Sequence, residues 1–424
     1  MARLNGFTKK QLLDVYEKMI LIRELDHKML TLLKQGKGYF HMGCSGHEAA
    51  QIAATYVIES GKDWSYPYYR DGAYVLGLGL NSREQLLSFL ARADDPCSGG
   101  RQMPMHYSKK ELRIVSQSSA TGTQYLQAVG CALSRKLEKN KEIVYVSSGE
   151  GTTSQGDFHE ALNWSSREKA PVIFHVQDNE YAISTHKSEQ TAGSVFSLVS
   201  GYENLSRFQV DGTDFFETHL AFKQASERAR KGKGPSVIVS NVVRLMPHSS
   251  SDDQRKYRSE EDLEKDLLRD PILLFKNECI KNKIFSESET IVIDGKVKKQ
   301  VSMDTDWAEE QAHPNSNTAI DHVYSNENTI EEVDFVKKSD SIVMVDAINH
   351  GLHEEMAKND KMVIFGQDIA DPKGGVFTAT KGLSSKFGKT RVFNSPLAES
   401  SIIGTAVGMA VTGYKPVVEI QFGD

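Results

Sequence analysis

Two apolar segments flanking a glycine-rich loop constrain the fold of this chain more than any other feature. Residues 143–147 and 171–176 are short runs rich in β-branched side chains, which predict two buried strands. Between them lie the loop at residues 149–157 and a run with apolar residues at helical spacing. A strand–loop–helix–strand unit predicts parallel strands joined by a right-handed crossover. We therefore predict an α/β fold.

The loops that follow these two strands contain a candidate metal and phosphate site. Glu150 lies in the glycine-rich loop, and Asn179 follows the second strand. Open α/β sheets bind ligands at the carboxyl ends of their strands. A carboxylate and an amide oxygen beside a helix N-terminus suit one hard cation that holds a diphosphate. The pattern alone equally allows a ligand-free loop capped by Ser154.

Composition excludes several classes of protein. With 51 basic and 57 acidic residues the net charge is −6, which argues against a nucleic-acid surface. No apolar run reaches the length of a membrane span, and the first residues lack a signal-peptide or transit-peptide pattern. The cysteines are widely spaced and form no Cys-x-x-Cys pair, so we expect reduced thiols in a cytoplasmic protein. They are Cys44, Cys97, Cys131 and Cys279.

Two further loops carry polar side chains whose role the pattern leaves open. Arg70 precedes Asp71 in a polar, aromatic loop at residues 64–71. It forms either a surface ion pair or a clamp that offers its fork of donors to a phosphate. His248 lies in a Ser- and Asp-rich loop of a type that is usually solvated. A His near its unperturbed pKa can nevertheless donate a proton at neutral pH.

The 424 residues are predicted to form two domains and a linker. Residues 1–284 contain the strands and loops above, and residues 285–338 are acidic and polar, as is typical of a linker. In residues 339–424, a strand at 362–366 and a helix rich in Gly and Ala predict a second α/β domain. Glu399 at the start of that helix is either a helix cap or an acid whose pKa is raised by burial.

Together these motifs resemble those of thiamin-diphosphate enzymes. The Gly-Glu-Gly loop with an Asn at this distance looks like their metal–diphosphate motif. Residues 149–164 (GEGTTSQGDFHEALNW) resemble the decarboxylating first component of 2-oxo acid dehydrogenase complexes, of the branched-chain (2-oxoisovalerate) type. Residues 339–424 resemble the opening of the partner β chain of the same enzymes. The expectation is an α-type portion fused to a truncated β-type portion.

The resemblance implies roles for individual residues. Mg²⁺ would be held by the side chains of Glu150 and Asn179 and by the backbone carbonyl of Tyr181. His248 and Glu399 would be catalytic, with Glu399 at the aminopyrimidine ring. Further cofactor contacts would come from both portions: Tyr69, Arg70, Ser119, Thr121, Gly149, Gly151, Thr152, Leu397 and Gln421. A structural K⁺ is also expected, near Ser118, Thr123 and Gln124.

The implied fold is the thiamin-diphosphate-binding fold, with a parallel sheet flanked by helices and the start of a second, similar domain. The implied reaction is oxidative decarboxylation of a branched-chain 2-oxo acid, with acyl transfer to a lipoyl-bearing acyltransferase, by a homo-oligomer. Pyruvate or acetoin enzymes and a non-catalytic cofactor-binding fragment remain alternatives. Ser249 and Ser259 match positions that a kinase modifies in some relatives.

Overall fold

The computed structural model describes residues 6–116, 118–324 and 341–423. The chain forms two compact units, residues 1–313 and residues 314–424. Residues 325–338 of the predicted linker lie outside the described residues. Across the part of the chain that the structure describes, none of the helices is both long and apolar enough to cross a membrane.

The first unit is built on a five-stranded sheet in which all neighbouring strands are parallel. Its strands are β1 (Trp64–Tyr66), β2 (Val144–Gly149), β3 (Val172–Asp178), β4 (Ser206–Asp211) and β5 (Ser236–Asn241). Their order in the sheet is β1-β2-β3-β5-β4. Every residue of β3 is buried, as expected for a strand covered by helices on both faces. The predicted α/β class and the two strands of the opening motif are confirmed.

Helices surround this sheet and bury its faces. They are α1 (Lys9–Lys34), α2 (Glu48–Thr55), α3 (Gly72–Leu78), α4 (Ser82–Phe89), α5 (Thr123–Leu137), α6 (Gly156–Glu168), α7 (Val195–Leu198), α8 (Phe215–Arg230), α9 (Glu260–Leu268), α10 (Pro271–Lys281) and α11 (Glu287–Glu310). The helix α1 begins where Thr8 and Gln11 exchange hydrogen bonds in a capping box, which satisfies free N–H groups of the first turn. Its buried face joins one core with residues of α2, α8 and α10.

The polar loop predicted at residues 64–71 begins with a strand instead. Trp64, Ser65 and Tyr66 pair with β2 in parallel register, and this pairing makes β1 the edge of the sheet. The prediction was wrong here because a three-residue strand is too short to show a periodic pattern. Since β1 ends at Tyr66, Arg70 lies just beyond the carboxyl edge of the sheet.

The linker predicted from residue 285 starts too early. Residues 287–310 form α11, which packs against α1 and α4 and belongs to the first unit. Val297 and Val301 are buried in the main core, and two acidic side chains of α11 bind groups of the first unit. Asp294 accepts a hydrogen bond from the Tyr16 hydroxyl at 3.0 Å, and Asp304 forms an ion pair with Arg83 at 2.8 Å.

The second unit contains a three-stranded parallel sheet in the order β7-β6-β8. Its elements in chain order are α12 (Met344–Lys358), β6 (Met362–Gly366), α13 (Leu383–Phe387), β7 (Val392–Asn394), α14 (Glu399–Val411) and β8 (Lys415–Glu419). A small core centred on Met356, Ile364 and Leu383 holds it together. The strand predicted at residues 362–366 is confirmed.

Candidate active site

Glu150 and Asn179 are the first residues beyond two neighbouring strands of the first unit. β2 ends at Gly149 and β3 ends at Asp178, and Gly149 is paired with Gln177 across the ladder. The backbone N–H of Asn179 donates to Glu150 Oε2 at 3.3 Å. The parallel register therefore brings the two predicted metal-binding side chains to one edge of the sheet.

A cavity of about 280 Å³ opens at this edge. Most of the residues predicted for the first unit line it: Tyr69, Arg70, Thr121, Gly149, Glu150, Gly151, Thr152, Asn179, Tyr181 and His248. Three lining residues were not predicted: Tyr68, Ala182 and Ile183. Gly151 is needed where the two loops meet, because a Cβ on it would lie 2.9 Å from the Cβ of Ala182.

Glu150 is a buried carboxyl with one free oxygen. The side chain is only 2% exposed, and its Oε1 atom has no hydrogen-bond partner. Burial, followed by the nearby charge of Asp178, raises the pKa of Glu150 to about 7. Because a buried anion without a partner is costly, a cation bound at Oε1 would stabilise the charged form.

Arg70 is the converse case, a buried cation. Its guanidinium donates to the carbonyls of Gly43 at 2.7 Å and His248 at 3.2 Å, and its Nε has no partner. The alternative of a surface pair with Asp71 is excluded, because both residues are buried and Asp71 binds other groups. A desolvated guanidinium without a carboxylate partner is suited to a phosphate ligand.

His248 lies against Arg70 and is uncharged. Arg70 Nη2 lies 3.3 Å from His248 Nδ1. Since a guanidinium can only donate, Nδ1 accepts and the ring carries its proton on Nε2. Burial, followed by the charges of Arg70 and Arg244, lowers the pKa of His248 to about 3. The pKa of His248 is therefore well below its unperturbed value, and the neutral ring carries its donor at Nε2, within reach of the backbone of Ala182.

A buried polar layer beneath the cavity was missed by the sequence analysis. His47 Nδ1 lies 2.8 Å from Gln177 Oε1, and His47 Nε2 lies 3.3 Å from Asn179 Nδ2. Gln177 Nε2 in turn donates to Asp71 Oδ1 at 2.6 Å. The available signal was Gln177 itself, a polar residue in a strand whose other residues are mostly apolar, because a buried amide requires partners.

Some residues expected near the cofactor lie elsewhere. Ser119 is exposed, does not line the cavity, and donates its hydroxyl to His106 Nε2 at 2.6 Å. Around the expected K⁺ site, the Thr123 hydroxyl donates to the carbonyl of Ala120. Gln124 donates to the carbonyl of Ser147, and its own oxygen accepts from the N–H of Gly122. These contacts lend the K⁺ site no support.

The remaining candidates belong to the second unit. Glu399 is exposed in the first turn of α14 and accepts a hydrogen bond from Gln367 Nε2 at 3.0 Å. Leu397 is 83% exposed, and Gln421 donates to the carbonyl of Gln367 at 3.1 Å. Glu399 is not buried by the described residues of the second unit, contrary to the expectation. The three side chains remain candidates at the carboxyl edge of the second sheet.

Two family models match this chain in succession. The model described as "Dehydrogenase E1 component" matches residues 16–317, which is more than half of the chain. The model described as "Transketolase, pyrimidine binding domain" matches residues 340–424.

Individual relatives agree with the first of these matches. The chain is 39% identical to the 2-oxoisovalerate dehydrogenase subunit alpha of Bacillus subtilis over 322 residues, covering 76% of this chain and 97% of that protein. It is 35% identical to the protein of the same name from Pseudomonas aeruginosa, covering 66% of this chain and 68% of that protein. The pyruvate dehydrogenase E1 component subunit alpha of Staphylococcus epidermidis is 30% identical, with 79% and 88% covered.

Proposed function

Because this chain belongs to the dehydrogenase E1 component family, we propose that it decarboxylates a branched-chain 2-oxo acid with thiamin diphosphate and Mg²⁺. The acyl group would pass to a lipoyl-bearing acyltransferase, and a homo-oligomer is the proposed assembly. The substrate class rests on the two 2-oxoisovalerate dehydrogenase relatives, which are more similar to this chain than the pyruvate dehydrogenase relative is. Pyruvate is the second candidate substrate.

One observation carries the cofactor proposal: the cavity is lined by buried charges of opposite sign that do not neutralise each other. Glu150 Oε1 and Arg70 Nε are both buried and both lack a partner. Burying an ion without a counter-ion costs on the order of several kcal/mol. A metal cation at Glu150 together with a polyanion at Arg70 satisfies both, and a metal–diphosphate ligand supplies these two charges.

The residues of the cavity fit that ligand chemically. Glu150 Oε1, the amide oxygen of Asn179 and the carbonyl of Tyr181 would hold the metal, and hard oxygen donors of this kind suit Mg²⁺. Within the described residues no group of three or more His, Cys, Asp or Glu side chains could hold a metal by itself. The diphosphate would therefore complete the coordination, and Arg70 would bind its outer oxygens.

We also propose roles for the groups that take part in the reaction. When bound, thiamin diphosphate supplies an electron sink for the carbon–carboxylate bond that breaks. His248, neutral and protonated on Nε2, would donate a hydrogen bond to the substrate or the diphosphate. Glu399 of the second unit is proposed to bind the aminopyrimidine ring, with Leu397 and Gln421 as further ring contacts.

Calorimetric titration of the full chain with thiamin diphosphate, with and without Mg²⁺, tests the cofactor proposal. We expect binding that requires Mg²⁺ and is lost in Glu150→Ala. Glu180→Ala is the control, because Glu180 is close in sequence to Asn179 but pairs with Lys187 outside this cavity. Binding of equal strength without Mg²⁺, or in Glu150→Ala, would contradict the proposal.

Turnover separates the remaining alternatives. The rates at which the full chain decarboxylates 3-methyl-2-oxobutanoate and pyruvate should be compared, with a soluble electron acceptor present in both assays. Faster turnover of the branched acid supports the proposed substrate class, and faster turnover of pyruvate supports the second candidate. Cofactor binding without any turnover would support the non-catalytic fragment.

A further inference from the structure

We infer that His47 is a positioning residue that fixes the side-chain amide of Asn179 so that its oxygen is directed to the metal. The inference rests on the proposed function, because it concerns the proposed Mg²⁺ site. His47 precedes α2 in the chain and is separated from Asn179 by 132 residues. It does not line the cavity, so its effect on a ligand would act through Asn179.

Two contacts select one orientation of the Asn179 amide. Its oxygen accepts a hydrogen bond from the N–H of Tyr181 at 3.2 Å, and its nitrogen lies 3.3 Å from His47 Nε2. A flipped amide would place its NH₂ against the N–H of Tyr181 and its oxygen against the lone pair of His47. Both contacts would then be repulsive. The observed orientation therefore depends on His47 being an acceptor at Nε2.

The tautomer of His47 is fixed by the layer beneath it. Gln177 Nε2 donates to the carboxyl of Asp71 at 2.6 Å, which turns Gln177 Oε1 towards His47. Gln51 Nε2 also donates to that oxygen, at 2.9 Å. Since Gln177 Oε1 can only accept, His47 must donate from Nδ1, and its Nε2 is left as the acceptor that Asn179 requires.

Water cannot readily substitute for any member of this chain of hydrogen bonds. Asp71, Gln177 and His47 are fully buried, and Asn179 is 6% exposed. Partners that orient a metal ligand from behind usually matter to binding, and their loss typically lowers metal affinity by about 10- to 100-fold. We expect the same range for loss of the acceptor at residue 47.

The test measures the Mg²⁺ concentration that half-saturates binding of thiamin diphosphate by the full chain. In His47→Leu, which has no acceptor, we expect that concentration to rise by about 10- to 100-fold. In His47→Gln we expect a value close to that of the wild type, because Gln offers both an acceptor and a donor. Inorganic pyrophosphate as the probe should give the same pattern, since it reports only on the metal and diphosphate part of the site.

His175→Leu is the matched control. His175 is also fully buried, lies on β3, and binds the hydroxyls of Tyr145 at 2.9 Å and Ser240 at 3.0 Å instead of a cavity residue. We expect His175→Leu to lower the melting temperature without changing the Mg²⁺ requirement. An equal change in both Leu variants would show that His47 has only a structural role, and would overturn the inference.

Two further outcomes are decisive. If His47→Leu does not fold, His47→Asn replaces it, because its shorter amide keeps the site polar without reaching Asn179. If the wild-type protein requires Mg²⁺ and the folded variant requires the same Mg²⁺ concentration, the inference is overturned and the proposed function is not. A wild type that binds without Mg²⁺ overturns the proposed function, and the inference falls with it.

Discussion

Arg70 and Asp71 are adjacent in the chain, yet their side chains lie in different surroundings. Arg70 donates to Gly43 and His248 at the cavity, whereas Asp71 accepts from Ser147 and Gln177 inside the sheet. Neither is neutralised by the other. At the scale of single residues, the site thus contains two kinds of buried charge. Arg70 faces the cavity and could bind a ligand, whereas Asp71 is bound by neutral hydrogen-bond donors.

Asp71 should make the stability of the first unit depend on pH. Burial raises the pKa of Asp71 to about 7, although hydrogen bonds from Ser147 and Gln177 oppose the rise. Between about pH 4 and pH 7 the folded state therefore binds more protons than the unfolded chain, and the free energy of unfolding falls as pH rises. Relative to Asp71→Asn, the wild type should lose about 3 kcal/mol between pH 5 and pH 8.

Urea unfolding of both proteins at several pH values measures this difference. Because Asp71→Asn is neutral throughout, other titrating groups cancel when the two proteins are subtracted. A difference that stays flat from pH 5 to pH 8 would mean that Asp71 is ionised over the whole range, and would contradict the prediction.

Arg70 should contribute mainly to binding of the diphosphate. The substitution Arg70→Gln removes the positive charge and the fork of hydrogen-bond donors. A hydrogen bond to a charged group is worth about 1.5–3 kcal/mol, so the dissociation constant of thiamin diphosphate should rise by about 10- to 100-fold. Calorimetry measures this constant. Arg167→Gln on α6 should leave it unchanged, because the exposed Arg167 guanidinium is paired with Glu168 and does not line the cavity.

The sequence predicted where residues that follow a strand would lie, but it did not predict contacts between side chains that are distant in the chain. Glu150 and Asn179 could be placed because parallel strands end at one edge of the sheet. The contact of His47 with Gln177 spans 130 residues and leaves no local pattern in the sequence. The burial expected for Glu399 could not be judged either, because it depends on what covers a helix end rather than on the helix itself.

At the scale of elements, α11 shows how a core helix can be mistaken for a linker. Its acidic residues suggested a solvated segment, but Asp294 and Asp304 hold α1 and α4 through hydrogen bonds and an ion pair. Its buried apolar residues, Val297, Val301 and Ala308, lie on one face of the helix, and its other buried residues are Thr290, Asp304 and Thr305. Only half of the buried positions of α11 are therefore apolar, and neither its charge content nor the spacing of its apolar residues indicated a core helix.

Two valines of α11 provide a matched test of this role. Val297 is fully buried in the main core, whereas Val292 on the same helix is 70% exposed. Val297→Ala should destabilise the first unit by about 2 kcal/mol, because it removes buried methyl groups and leaves a cavity. Val292→Ala should change the stability by less than about 0.5 kcal/mol. Equally small effects in urea unfolding would show that α11 does not belong to the core.

At the scale of the whole molecule, every residue that lines the candidate cavity belongs to the first unit. The predicted acid Glu399 lies in the second unit, in the first turn of α14. The two family models divide the chain in the same way, at residues 16–317 and 340–424. Metal–diphosphate binding and ring chemistry should therefore be separable by cutting the chain.

A fragment of residues 6–313 should fold and bind Mg²⁺ with inorganic pyrophosphate as the full chain does. It contains the complete main core, including α11, and the whole cavity lining. A fragment of residues 6–284 lacks α11, exposes the faces of α1 and α4 that it covers, and should show no cooperative thermal unfolding. Calorimetry of both fragments measures folding and binding together.

The longer fragment should show no decarboxylase turnover, because Glu399 is absent from it. Adding residues 314–424 back on the same chain restores the acid, and Glu399→Gln in the full chain should keep Mg²⁺-dependent pyrophosphate binding while turnover falls. A fragment of residues 6–313 that folds but does not bind pyrophosphate would place part of the diphosphate site outside the first unit. Turnover by that fragment would remove Glu399 from the mechanism.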